Sequence, residues 1–162
     1  QKAIETTLPM VVDADALNLL SKNPQHHDNW VLTPHPGEAA RLLGCSSEEI
    51  QADRFAAVYE LQRRYGGVVV LKGSGTLISN GEAPTRLSTW GNPGMGSGGM
   101  GDVLAGVIGG LLAQHFPIMD AACVGVTLHG MAADKEAELD GERGPLAMDL
   151  MPHLRRLANL IY

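Results

Sequence analysis

The sequence predicts one α/β layered domain with a mostly parallel central sheet flanked by helices. Three observations carry that prediction. Short apolar runs of strand length alternate with helix-length segments along the chain. One run, "VVVLK" at 68–72, is continuously apolar and β-branched, as in a parallel strand buried on both faces. The chain has 162 residues, 44% of them hydrophobic, enough for one real core. No internal repeat and no low-complexity linker divides it, so residues 1–162 read as one domain.

The elements follow in order. "PMVVDADALNLLSK" reads as a strand at 10–12, a turn, and a helix from about Asp15, whose carboxylate suits the first free N–H groups. "WVLTPHPGEAARLLG" repeats the pattern: strand 30–32, a tight loop at 33–36, and a helix over 38–43 ending at Gly44. Ile50, Phe55, Val58 and Leu61 lie at near-helical spacing; Ser46 with Glu49 makes a capping box, and Gly66 and Gly67 end that helix. After the 68–72 strand, "GTLISN" and "APTRLST" read as two strands joined through Gly81. Helices are expected over 103–114, 120–139 and 148–160, with a turn at Pro117 and a polar loop, "DGERGP", before the last.

Composition narrows the function. A net charge of −6 argues against a nucleic-acid footprint, although backbone N–H groups and a few local cations still bind anions in a negative protein. No stretch reaches the ~18 apolar residues of a membrane span. The start has no signal-peptide core, and the first strand-like run begins near Pro9 with almost nothing before it. That start reads as a cut within a domain. Cys45 and Cys123 have no metal-type spacing and read as free buried thiols of a cytoplasmic protein.

Four stretches can carry chemistry. "GNPGMGSGGMGDVLAGVIGG" places nine glycines between 91 and 110, with Asp102 where the apolar helix begins. The amides of Gly96, Ser97, Gly98, Gly99, Met100 and Gly101 can form an anion nest, and the helix adds its positive end. A carboxylate there is repelled by phosphate unless it acts as a base on a hydroxyl that attacks phosphorus. A flexible loop capped by an acid stands level with that reading. The stretch lacks the lysine of a P-loop, and its bare G-x-G-x-x-G spacing sits late in the chain without a βαβ context. In "LKGSGT", Lys72 can pair with a nucleotide phosphate, while Gly73, Ser74, Gly75 and Thr76 offer backbone and hydroxyl contacts; a lysine that merely ends a strand is the plain alternative. In "TPHPGEAARLLG", two prolines fix His35, which can contact a substrate or its phosphate, with a plain surface histidine the even alternative, and Glu38 can hold a metal through water. Asp13 and Asn18 follow the first strand, where helix capping is the leading role for Asp13. His129, on an apolar helix, reads as a packed histidine, and His26 and His27 as solvated loop residues.

Taken together and in this order, "VVDADALN", "TPHPGEAARLLG", "VVVLKGSGT" and the glycine stretch resemble the ADP-dependent NAD(P)H-hydrate dehydratases. The resemblance implies a ribokinase-like fold and the dehydration of hydrated NADH or NADPH, with ADP consumed to AMP and phosphate and magnesium accompanying the nucleotide. It places Lys72 to Thr76 and Gly101 at the nucleotide, and His35 and Asp102 at the hydrated cofactor. Gly96 stands where the family often has alanine. The family domain is longer at its N-terminus, so residues 1–162 are expected to be the C-terminal portion of one such domain. A fused epimerase and association into a homo-oligomer are expected as well. A vitamin-precursor kinase of the same fold and a non-catalytic adenylate-binding module remain the alternatives.

Overall fold

The computed structural model describes residues 6–82 and 84–160. Five strands form one sheet in sequence order: β1 (Met10–Val12), β2 (Trp30–Leu32), β3 (Val68–Leu71), β4 (Thr76–Ser79) and β5 (Arg86–Ser88). The pairs β1–β2 and β2–β3 are parallel; β3–β4 and β4–β5 are antiparallel. The sheet is therefore mixed. A helical crossover returns the chain between each parallel pair, whereas the links 72–75 and 80–85 are too short for anything but hairpins. Ala83, where the last strand segment was expected to begin, lies outside the described residues.

Helices cover both faces. α1 (Ala14–Lys22), α2 (Pro36–Leu43), α3 (Ser47–Ala52) and α4 (Arg54–Tyr65) pack on one. Their Leu17, Leu42, Ile50 and Leu61 meet Leu32, Val69 and Leu71 of the sheet. α5 (Met100–Ala113) and α6 (Ile118–Asp140) cover the other, where Leu104, Ile108 and Val126 meet Val31, Val68 and Val70. The alternation of Val68 and Val70 with Val69 and Leu71 realises the two-sided burial expected of "VVVLK". α7 (Leu150–Ala158) closes a third cluster against α6 through Leu150, Leu154 and Leu157. Among the described residues no helix is long and apolar enough to cross a membrane. Cys45 and Cys123 are free thiols and only half-buried; burial pushes the Cys123 thiol up.

Of the boundaries that differ from the expectation, three have a clear local reason. The helix expected through 46–65 breaks in two at Asp53, whose Oδ1 accepts from the Ala56 N–H at 2.9 Å and restarts the helix. Phe55 then falls outside the core, 56% exposed. α2 starts two residues early because Pro36 needs no N–H partner at the first helical position and His35 caps it. α5 starts at Met100, not 103, because Gly99 at φ +86° takes the cap position.

Candidate active site

The parallel pairing builds the site. β1, β2 and β3 end on the same edge, where open α/β sheets bind ligands. Asp13 leaves β1, Thr33 to His35 leave β2, and Lys72 leaves β3. Their exits are stitched together: Thr33 N–H donates to the Val12 carbonyl at 3.1 Å and Lys72 N–H to the Pro34 carbonyl at 2.9 Å.

Three charged side chains meet there. Lys72 Nζ lies 2.9 Å from Asp13 Oδ1 and 3.9 Å from Glu38 Oε2, with side-chain exposures of 20%, 13% and 7%. Asp13 occupies the N-cap position of α1 but makes no capping hydrogen bond with its side chain. Its carboxylate serves Lys72 instead, and Asp15 sits in the first turn, so neither fills the capping role expected from the sequence. The following residue, Ala14, is held at φ +47°, a strained conformation of the kind that gathers at functional sites. Asn18 is turned to Arg41, whose Nε donates to its Oδ1 at 2.8 Å. Glu38 also accepts from the His35 N–H at 2.8 Å. His35 Nδ1 accepts from the Gly37 N–H at 3.0 Å, so a neutral ring carries its proton on Nε2, 3.7 Å from Glu38 Oε2. His35 is thus a helix cap and a half-exposed donor at once.

A cavity of about 690 Å³ opens beside this cluster. His35, Lys72, Gly73, Ser74, Gly75 and Thr76 line one side, and Gly96, Ser97, Met100 and Gly101 the other. The two expected loops therefore share one hollow. They meet closely: a Cβ on Gly101 would lie 3.2 Å from Lys72 Nζ and 3.6 Å from Asp13 Oδ2. Gly98, Gly99 and Glu38 are not part of the lining. Nor is Asp102, whose side chain is exposed in the first turn of α5. Among the described residues Asp102 makes no hydrogen bond or ion pair, so the structure does not bring it into the hollow with its neighbours.

Other residues also shape the hollow, Asp134 and Trp90 without a signal in the sequence. Asp134 on α6 accepts from the Gly91 N–H at 2.9 Å and from Asn92 Nδ2 at 3.0 Å, and fixes the root of the glycine stretch. Trp90 lines the wall, 52% exposed. His129 also lines it and is packed as expected, 6% exposed, with Nε2 unpartnered. Burial, with the Lys72 charge adding to it, lowers its pKa to about 4 against the pull of a hydrogen bond to the Met100 backbone. At neutral pH its ring carries no charge.

No group of three or more His, Cys, Asp or Glu side chains among the described residues is arranged to hold a metal. However, two carboxylates share one ammonium at the lip of the cavity, which leaves a local negative charge. Glu38, the residue singled out for a metal, is buried outside the lining, and its Oε2 is taken by the His35 N–H and faces Lys72.

A family model described as NAD(P)H-hydrate dehydratase matches residues 1–156. The bifunctional NAD(P)H-hydrate repair enzyme of Coxiella burnetii is 57% identical over 158 residues, 98% of this chain and 32% of that protein. The chain thus spans about a third of that relative's length. Among solved structures, the ADP/ATP-dependent NAD(P)H-hydrate dehydratase of Bacillus subtilis, co-crystallised with ATP/Mg2+, superposes with a TM-score of 0.87 at 30% identity. The match covers all of this chain and 61% of that one. A ribokinase-like superfamily protein of Enterococcus faecalis superposes with a TM-score of 0.80 at 30% identity, over 94% of this chain and 52% of that one. The fold is the ribokinase-like α/β fold, and the chain belongs to the NAD(P)H-hydrate dehydratase family.

Proposed function

We propose that the protein carrying this chain repairs hydrated nicotinamide cofactors, dehydrating hydrated NADH or NADPH at the expense of ADP. One observation carries the reading: the Lys72–Thr76 loop and the glycine stretch converge on a single hollow and meet at Lys72. Two backbone-rich loops at strand and helix ends, with one cation between them, suit a polyphosphate.

The chemistry follows from charge. The cofactor's 6-hydroxyl attacks the β-phosphorus of ADP, forming one P–O bond while the P–O bond to AMP breaks. The amides of the lining residues Gly96, Met100 and Gly101 lower the energy of the charge on the phosphoryl oxygens. Asp102 takes the hydroxyl proton. Exposed as it is, it does so once the bound cofactor covers it and excludes water. The phosphorylated ring then loses phosphate from C6 and a proton from the neighbouring carbon, which restores the double bond. Phosphate leaves far more readily than hydroxide, so the anhydride energy of ADP drives the step. His35 Nε2–H is placed to hold the cofactor, and Lys72 has ammonium protons left for the nucleotide beyond the one given to Asp13. Magnesium supplies countercharge to the phosphates when bound. A fused epimerase, assembly of several copies and a cytoplasmic setting belong to the same proposal, in which damaged cofactor is repaired where it is used.

The test is incubation with ADP and hydrated NADH while the absorbance of the reduced nicotinamide is followed. Return of that absorbance with formation of AMP supports the reading. A stable phosphorylated product without NADH points to a small-molecule kinase, and nucleotide binding without turnover to a binding module.

A further inference from the structure

Arg54 breaks two local rules at once. It is the first residue of α4, where the helix presents its positive end and a cation is disfavoured. Its guanidinium is also partly buried, with neither a carboxylate partner nor a hydrogen-bond partner for Nε among the described residues, and burial pulls its pKa down. What it has instead is backbone. Nη1 donates to the Ser74 carbonyl, and Nη2 to the Leu71 and Lys72 carbonyls at 3.1 and 3.4 Å.

Those three bonds fix which way the loop faces. In a trans peptide the C=O and the next N–H point in opposite directions. Leu71 shows this directly: its carbonyl meets Arg54, and the Lys72 N–H of the same peptide unit goes the other way, to Pro34. By the same geometry the Gly73 and Gly75 N–H groups point away from Arg54. Neither has an acceptor among the described residues. The loop lines the cavity and Arg54 does not, so Arg54 stands behind it. Gly73 and Gly75, at φ +147° and +69°, permit the arrangement, and a Cβ on Gly73 would lie 3.0 Å from Arg54 Nη2.

We infer that Arg54 is a positioning residue that holds three carbonyls of the 71–74 segment on the far side of the loop, so that the Gly73 and Gly75 amides face the cavity as phosphate donors. The inference rests on reading this loop as the nucleotide contact. A partly buried charge at a disfavoured place is the kind of local conflict that marks a functional device.

The test compares the native protein with Arg54→Ala and Arg54→Lys. Backbone order parameters of Gly73, Ser74 and Gly75, measured without nucleotide, are expected near the rigid value in the native protein and clearly lower in both variants. Lysine keeps the charge but cannot span three carbonyls. With ADP added, both variants are expected to bind at least about tenfold more weakly, with kcat at saturating ADP within about threefold of native. Methylguanidinium is expected to restore binding to Arg54→Ala and not to Arg54→Lys. Unchanged order parameters, a lysine variant equal to native, or kcat falling in step with affinity overturns the inference. Should Arg54→Ala fail to fold, Arg54→Lys decides by the same readouts. If the native protein binds no ADP, the proposed function fails, while the order parameters still decide the role of Arg54.

Discussion

The two sides of the cavity hold charge in opposite ways. On one, Lys72, Asp13 and Glu38 form a largely buried cluster in which every charged group has a partner. On the other, the glycine stretch offers amides and, outside the lining, one exposed carboxylate, Asp102, without a partner among the described residues. The first side has its charges committed to the fold. The second leaves its carboxylate free, dependent on a bound molecule to give it a low-dielectric setting. A residue engaged in the native structure affects stability when it is removed. A residue kept free for a ligand affects turnover.

Lys72→Met tests the committed side and should show the largest effect. It leaves buried Glu38 and partly buried Asp13 without countercharge, at a cost of about 3 kcal/mol. For a domain of this size that lowers the thermal midpoint on the order of 10 °C; calorimetry showing a negligible shift would mean the cluster is not a buried ion network. Asp102→Asn probes the free side. Turnover should fall about 10²-fold or more with ADP affinity largely kept, while stability moves by less than about 0.5 kcal/mol. A stability loss matching that of Lys72→Met would erase the contrast.

His129 gives a pH signature to the wall between them. The folded chain keeps its ring neutral down to about pH 4, whereas the unfolded chain takes up that proton near 6.5. The stability from this group is whole above about pH 6.5 and falls on acidification to about 4, by at most about 1.4 kcal/mol per pH unit. Replacing His129 with Gln should flatten urea-unfolding midpoints across that window, and an unaltered slope would reject the assignment. The smallest effect is expected from Gly96→Ala. A Cβ there meets nothing within 4 Å and φ is not positive, so the variant should gain about 0.5 kcal/mol through the unfolded state. A loss would show that the glycine stretch needs freedom at that point.

The sequence made different parts of this molecule legible to different degrees. Backbone devices were readable. "VVVLK" announced a strand buried on both faces, and "LKGSGT" and the glycine stretch announced loops of low steric demand. Side-chain partnerships were not. Asp13 looked like a helix cap because capping is a local matter, whereas its actual partner, Lys72, lies 59 residues away and adjoins it only through parallel pairing with β2. Arg54 and Asp134 carried no motif, because each acts on backbone groups brought close by the fold. The break at Asp53 escaped the apolar period, which runs through it with Phe55 turned outward. Asp102 is the converse case: the sequence singled it out, and its surroundings in the free chain do not yet engage it.

The most direct test is a crystal structure with hydrated NADH and a non-transferable ADP analogue. The diphosphate should lie in the hollow between the Lys72–Thr76 loop and the glycine stretch, its β-phosphate toward the amides of Gly96, Met100 and Gly101, with Asp102 within hydrogen-bond distance of the cofactor's hydroxyl. A nucleotide seated elsewhere, or an Asp102 still facing bulk water with both molecules bound, would contradict the account.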